Sequence, residues 1–416
     1  MEICFDSRRL LENLFRCHGR YTVPMGLSET KLETVIYENP QVLPEYWDSL
    51  AGSNIFLKQS YLRACYESKP KNMRCFFIVI GTEDKPLSIA VAQFLDLNQL
   101  ETFGERQRCM KTVARNFIFK KFSSHVLFIG NNMLSGQHAF ATCKETNSTD
   151  VLTALQLSAT QIKERLRIEG ISLHLTVFKD FDAAFLQQNN PNFPNFFKFT
   201  TQPNMVFEQL NNFANETDYV GAFAKKYRDQ YKRSRKRLQP ITSRFLTETD
   251  LADYQKTTAD LYFNVAKNSA FNTFLLPENH FLALKKQLQE DFIVKGYFEA
   301  ERLVGFSTII RNGSTADTYF LGYDAEIQKH HMLYLNMLYD MILTSISLKF
   351  EKIVFGRTAM EIKSSAGAVP QELFGFMKHH NYLLNKILPY FFKQLEPKVI
   401  WQQRHPFKGV GDEAQQ

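Results

Sequence analysis

The chain has 416 residues, of which 44% are hydrophobic and 22% charged, which excludes wholesale disorder and makes two domains the natural division. The formal charge of +7 is modest for this length, so where the basic residues sit matters more than their sum. Phe occurs 38 times against 2 Trp, a composition suited to filling cores.

The six cysteines, at positions 4, 17, 65, 75, 109 and 143, form no CxxC pair and read as thiols of a reducing compartment. The opening MEICFDSRRLLENLFRC has two acids in its first six residues and no apolar segment of the secretory type. Residues 1–30 therefore read as a helical extension, and the cytoplasm is the expected compartment. The most apolar long stretch, Met332 to Ile346, is interrupted by Asn336 and Asp340, so no membrane span is expected.

Residues 31–207 read as a first domain. LETVIYE (32–38) is a strand, and the segments around 42–49 and 58–67 are helical. CFFIVIG (75–81) and LSIAVAQFL (87–95) form a hairpin, followed by an insertion at 96–124 rich in Arg and Lys. HVLFIGN (125–131) is a further strand. Val151, Leu152, Leu155, Ala159, Ile162 and Leu166 then recur at helical spacing, with Thr149 placed to cap and Gly170 to stop the helix. ISLHLTVF (171–178) returns as a strand.

Residues 208–400 read as a second domain, opened by KKYRDQYKRSRKR (225–237) with eight Lys or Arg and one acid. Thr217 can cap this helix and Pro240 stop it. Val220, Phe223, Tyr227, Tyr231 and Leu238 fall on one face, leaving a basic stripe that includes Lys225, Arg228, Lys232 and Arg233. So dense a run of one sign repels itself without a counter-charge, which points to a polyanionic ligand; the alternative is a solvated helix face.

ITSRFL (241–246) is a strand, Asp250 to Lys267 a helix, and a second helix runs from Pro277 to about Leu288. FIVKGYF (292–298), LVGFSTIIR (303–311) and TADTYFLGYD (315–324) form a three-strand meander with turns at EAER and Asn312-Gly313. A buried helix spans about Gln328 to Ser347, KIVFG (352–356) is a strand reached by that crossover, and a last amphipathic helix starts near Pro370. Residues 401–416 are a tail in which Trp401, Arg404, His405 and Lys408 cluster, either closing over a ligand or docking onto the domain.

Strand, two helices, three-strand meander, helix, strand, helix is thus written twice, giving an α/β class with mixed sheets. The order resembles two tandem GNAT-like domains, as in the double-domain FemABX type of acyltransferase. YFLGYD (319–324), a long helix and FGRTAMEIKSSAGA (355–368) carry the resemblance most sharply.

The resemblance implies an acyl-CoA donor lying in a V-shaped gap between the fourth and fifth strands, with its pyrophosphate on the backbone N–H groups that open the next helix. In this chain the fourth strand is Thr318–Tyr323, and DAEIQKHHM (324–332) replaces the glycine-containing loop of the family. Asp324, Gln328, Lys329 and His330 would then meet the carrier through side chains. Just beyond the C-terminal end of the 352–356 strand, where ligands sit in open α/β sheets, three opposed charges suggest a pocket: Glu361 as general base for an acceptor amine, Arg357 for an anionic group and Lys363 for a second anion, while Tyr323 at the end of the fourth strand is a candidate proton donor to the leaving group. The structural alternatives are a salt-bridge cluster for Arg357, Glu361 and Lys363, and a core position for Tyr323. Tyr262 and Lys267 are candidates for the acceptor entrance.

No Walker A loop, GxGxxG, HExxH or nucleophile elbow occurs, so nucleotide hydrolysis, a Rossmann site, zinc chemistry and serine hydrolysis have no support. The expected activity is direct acyl transfer from acyl-CoA to a small-molecule amine, with no metal. Two alternatives stand beside it: a FemABX-like transferase using aminoacyl-tRNA, and a non-catalytic module holding an anion. DNA is not an expected partner.

Overall fold

The computed structural model describes residues 32–99, 123–200, 202–268, 272–395 and 401–409. The extension at 1–30 and most of the basic insertion at 96–124 lie outside these residues.

In the first half, β1 (Thr34–Tyr37) is followed by helices α1 (Trp47–Ala51) and α2 (Gln59–Glu67), then by the hairpin β2 (Met73–Gly81) and β3 (Pro86–Asp96). β4 (His125–Ile129) and β5 (Phe140–Thr142) both pair with β3. Helix α3 (Ser148–Ile168) crosses to β6 (Leu175–Asp182), which lies parallel to β4, with Val126 opposite Leu175. The cap of α3 is Asn147, whose side chain accepts from Thr149 N, and Gly170 at φ +82 ends it. Helix α4 (Ala183–Asn189) and β7 (Phe197–Thr200) complete this half.

The second half repeats the order. β8 (Asn204–Phe207), α5 (Glu216–Ala222) and α6 (Lys225–Leu238) lead to β9 (Ile241–Phe245), and α7 (Glu248–Asp253), α8 (Gln255–Ala266) and α9 (His280–Leu288) follow. The meander is β10 (Phe292–Glu299), β11 (Arg302–Asn312) and β12 (Thr315–Thr318), continued by the short β13 (Gly322–Tyr323). Helices α10 (Ala325–His331) and α11 (Leu333–Ser347) cross to β14 (Lys352–Val354), parallel to β12. Each half therefore contains the meander, crossover helix and parallel return strand of a GNAT-like unit, and the fold is two such units in tandem.

The single crossover helix expected over 328–347 is two helices. Met332 adopts φ +51 between them, and the Gln328 side chain accepts from Tyr334 N at 2.8 Å across the break. The amphipathic helix expected from Pro370 begins later. After α12 (Met360–Ser364), residues Val369–Gln371 form β15 and Leu373–His379 form β16; α13 runs from Tyr382 to Leu395, capped by Asn381, which accepts from Leu383 N and Leu384 N at 3.0 and 3.1 Å. The apolar LFGFMKH segment suits a half-buried strand, and the helical period sets in only after it.

Measured against the boundary expected after residue 207, two strands lie in the sheet of the other half. β16 sits between β6 and β7 in the first sheet, whereas β8 sits between β15 and β14 in the second. A boundary drawn after residue 207 therefore does not divide the sheets, because β8 precedes it and β16 lies far beyond it. Gly375 in β16 permits this insertion, since a Cβ there would lie 2.5 Å from the Phe199 ring of β7.

The halves also share one apolar core. Trp47, Phe56 and Tyr61 from the first half pack in a cluster with Phe281, Phe292 and Phe306 from the second. Fully buried His280 crosses the junction, with Nδ1 2.9 Å from Ser68 Oγ and Nε2 3.0 Å from the Tyr319 hydroxyl. Burial pulls its pKa down to about 4, so it is neutral in the folded protein.

Residues 31–207 expressed alone will give no cooperative unfolding transition, because β6 and β7 lack the strand that joins them. Co-expression with 208–416 will restore a soluble complex that copurifies. A stable, cooperatively melting 31–207 fragment contradicts this account.

Candidate functional site

The basic helix α6 is held by its own sequence. Tyr227, Tyr231 and Ser234 form its buried face, and the Tyr231 ring packs edge-on against Tyr339 of α11 at 4.7 Å. The chain breaks at Phe223 instead of running continuously from a cap at Thr217; Asn215 caps the short α5 by accepting from Asp218 N. The tail fixes the break. Ala224 N donates to Pro406 O at 2.8 Å, Lys408 N donates to Ala222 O at 3.0 Å, and Phe407 packs among Phe207, Phe213 and Phe223.

Beneath the helix lies a buried charge network. Asp340 of α11 pairs with Arg235 at 2.7 Å and Lys295 at 3.2 Å, and accepts from the Tyr297 hydroxyl at 2.9 Å. Arg235 also donates to the Tyr231 hydroxyl, which donates in turn to Glu216 at 2.6 Å. Asn336, one turn before Asp340, donates to Ser234 O of α6 at 3.0 Å and to Met332 O at the crossover break. The two polar residues that interrupt the most apolar stretch of the sequence are thus the ones that hold α6 on α11.

Above this network α6 walls a cleft of about 450 Å³ with Lys226, Tyr227, Gln230 and Arg233. Met332 and Leu335 at the start of α11 give it an apolar side, and Glu361, Ile362 and Ser365 around α12 close the opposite side together with Arg404 of the tail. Arg404 Nε donates to Glu361 Oε1 at 3.0 Å, and its backbone N donates to Ser364 Oγ at 3.0 Å. Gln230 Nε2 donates to Ser365 Oγ at 3.3 Å across the cleft. Among the described residues the lining carries three cations, Lys226, Arg233 and Arg404, against the single carboxylate of Glu361.

Of the residues anticipated from sequence, Glu361, Arg233 and Arg404 come together here. Lys225, Arg228 and Lys232 lie on α6 but outside the cleft lining. Lys226, Gln230 and Arg233, spaced by four and three residues, define the stripe that faces the cleft; helical spacing within the basic run could have separated them from the 225, 228, 232 set.

Arg357 and Lys363 are structural. Arg357 donates to Asp180 of β6, so it ties the end of the second unit's return strand to that of the first. Burial pulls its guanidinium down to about 10, which leaves it charged at neutral pH. Lys363 is buried, and its Nζ donates to Phe355 O at 2.6 Å, not to an external anion. Burial lowers its pKa to about 7.

The stretch after the fourth strand is closed to an external phosphate. The Asp324 carboxylate caps α10, accepting from Glu326 N at 3.0 Å and Ile327 N at 3.2 Å, and pairs with Arg302 at 3.2 Å. The amides expected to cradle a pyrophosphate are thus taken by the chain itself. Gln328 is occupied at the helix break, Lys329 and His330 are exposed on α10, and none of these lines the cleft. Tyr323 is half-buried beside Tyr334 at 6.1 Å and likewise stands outside the lining. Tyr262 is a core residue, its hydroxyl accepting from Leu276 N at 3.4 Å, and Lys267 is exposed.

Among the described residues no group of three or more His, Cys, Asp or Glu is arranged to hold a metal ion, and no helix is long and apolar enough to cross a membrane.

No protein-family model matches the chain, and no curated protein matches it. Among solved structures it is similar to FemX, at 12% identity over 86% of this chain and 98% of that one, with a TM-score of 0.47. It is also similar to L-PGS from Bacillus licheniformis, at 10% identity over 82% and 96% of the two chains and a TM-score of 0.44. A tandem GNAT protein from the clavulanic acid biosynthesis pathway gives 8% identity over 78% and 88%, with a TM-score of 0.42.

Replacing Asp340 by Ala will leave Arg235 and Lys295 without their shared carboxylate and cost about 3–5 kcal/mol in denaturant unfolding. A loss below about 1 kcal/mol would show that the network does not hold α6. Lys363 carries a pH signature. Between its folded pKa of about 7 and its ordinary 10.5 the unfolded chain binds the extra proton, so this residue's contribution to stability rises with pH through that window. Wild type measured against Lys363→Met will therefore gain about 2–3 kcal/mol between pH 7 and pH 9.5; a flat difference removes the assignment.

Proposed function

We propose that the protein is a transferase that moves an acyl group directly from a phosphate-bearing donor to an amine, using the cleft beside α6. The observation that carries this reading is the placement of one carboxylate, Glu361, among three cations beside an apolar wall. The walls belong to α6, to the crossover helix after the meander, to the segment after the parallel return strand and to the tail. Lys226, Arg233 and Arg404 would hold donor phosphates, and Met332, Leu335 and Ile362 would contact the carrier's apolar portion.

In this scheme Glu361 takes the proton from the acceptor ammonium, and the freed nitrogen attacks the donor carbonyl. The tetrahedral adduct collapses with departure of the thiol or hydroxyl carrier, which takes up a proton. Holding donor and acceptor together supplies the rate advantage of proximity. Arg404 acts as a positioning residue, since it fixes the orientation of the Glu361 carboxylate.

Acyl-CoA is the first candidate donor. Aminoacyl-tRNA is the second, and one observation favours it: the Asp324 carboxylate occupies the amides on which a coenzyme A pyrophosphate would rest, leaving phosphate binding to side chains alone.

Thermal unfolding with acetyl-CoA, longer acyl-CoAs and bulk tRNA, at low and moderate salt, separates these readings. A donor at about 100 times its Kd stabilises the fold by about 2.7 kcal/mol. A shift with acyl-CoA that survives moderate salt supports the first donor, and a shift with tRNA that collapses as salt rises supports the second. Lys226→Glu with Arg233→Glu will abolish either shift. Glu361→Gln will keep the shift and lower turnover by roughly 10²–10⁴-fold. Unchanged turnover in Glu361→Gln removes the base, and a retained shift without turnover in wild type leaves a binding module.

A further inference from the structure

We propose that the exposed face of the C-terminal helix α13 seats the protein on an anionic lipid surface. Among the described side chains of the helix, Leu388 and Asn385 attach it to the first half from one side. Leu388 packs against the cluster of Val126, Leu175, Val177 and Phe199, and the Asn385 side chain accepts from His379 N at 2.8 Å and donates to Asn195 O at 2.9 Å. The opposite side carries apolar residues of high exposure. Tyr382 is 69% exposed, Leu383 70%, Ile387 43% and Tyr390 64%. At 3.6 residues per turn these four positions fall within an arc of about 140°, so they form one face, and Lys386 sits inside that arc.

Few exposed large apolar side chains appear elsewhere among the described residues, and those that do lie singly on different elements, as with Ile168 and Phe245. A run of four on one helix face is the kind of patch that marks an interaction site.

The chemistry of the face selects its partner. Tyr side chains combine an apolar ring with a polar hydroxyl and suit the boundary between headgroups and acyl chains. The sequence from Leu373 to Leu395 contains no Asp or Glu, whereas Lys378, Lys386 and Lys393 are present, so the segment carries only positive charge. Lys386 Nζ stands 4.4 Å from the centre of the Tyr382 ring, placing a cation within the apolar face. An apolar face of Leu, Ile and Tyr that carries one Lys matches an amphipathic helix lying in the plane of a bilayer with anionic headgroups. A second copy of the chain is a poorer match. Twofold pairing through this face would bring Lys386 towards its symmetry mate with no carboxylate on either helix to offset it.

The test is sedimentation of the full chain with vesicles of phosphatidylcholine alone and of phosphatidylcholine containing phosphatidylglycerol. Binding is expected to the anionic vesicles and to weaken as salt is raised. Leu383→Glu will reduce that binding about tenfold or more, Leu383→Trp will raise it with a blue-shifted Trp emission, and both will keep the wild-type unfolding midpoint because the site is exposed. Lys386→Glu will weaken binding to anionic vesicles in particular. Absence of wild-type binding, binding untouched by Leu383→Glu, or a wild-type dimer in light scattering that Leu383→Glu makes monomeric would each overturn the proposal.

Discussion

A single buried carboxylate, Asp340, sets the position of everything above the second sheet. It receives Arg235 from the basic helix, Lys295 from the meander and the Tyr297 hydroxyl at once, so helix, strand and crossover helix are fixed by one group. Two cations face this one acid in a region of reduced dielectric, and a second acid, Glu216, is reached through the Tyr231 hydroxyl. The position of α6 determines where Lys226 and Arg233 stand, and hence the shape of the cleft. A helix of such uniform charge repels itself, and Arg235 is the member of the run whose charge is neutralised within the fold.

The tail gives the cleft its remaining cation. Phe407 enters an aromatic cluster with Phe207, Phe213 and Phe223, while Arg404 three residues earlier reaches Glu361. Apolar anchorage and polar reach alternate along a few residues, and the polar reach ends on Glu361 in the lining. Of the two sequence readings of WQQRHPFK, Phe407 shows docking onto the domain, whereas closing over a ligand belongs with the proposed donor site.

Much of this architecture was legible in the sequence because it rests on local period. The meander over 292–318 has turn chemistry at Glu299–Arg302 and Asn312-Gly313, and β10 and β11 form where alternation predicts them. The exchange of β8 and β16 was not legible, since nothing in the LFGFMKH period says which sheet it joins; long-range pairing decides that. The site was half legible. The basic run and Glu361 were visible as charges, but charge alone does not reveal direction. Arg357 is directed at Asp180, Lys363 at the Phe355 carbonyl and Asp324 at its own helix, because each satisfies a nearby backbone or side-chain group that sequence spacing does not display. Tyr323 was read for its place at a strand end, yet its surroundings are aromatic packing.

The exchanged strand has a consequence for how the chain is made. β7 ends at Thr200, but the strand that joins it to β6 ends at His379. At a synthesis rate of about 5–20 residues per second, the intervening stretch takes roughly 10–40 s to emerge. Throughout that interval the facing edges of β6 and β7 present unpaired amide and carbonyl groups and apolar side chains such as Val177 and Phe199. The nascent first half is thus a substrate for holding chaperones until β16 has emerged, and its folding is coupled to synthesis of the second half by topology alone.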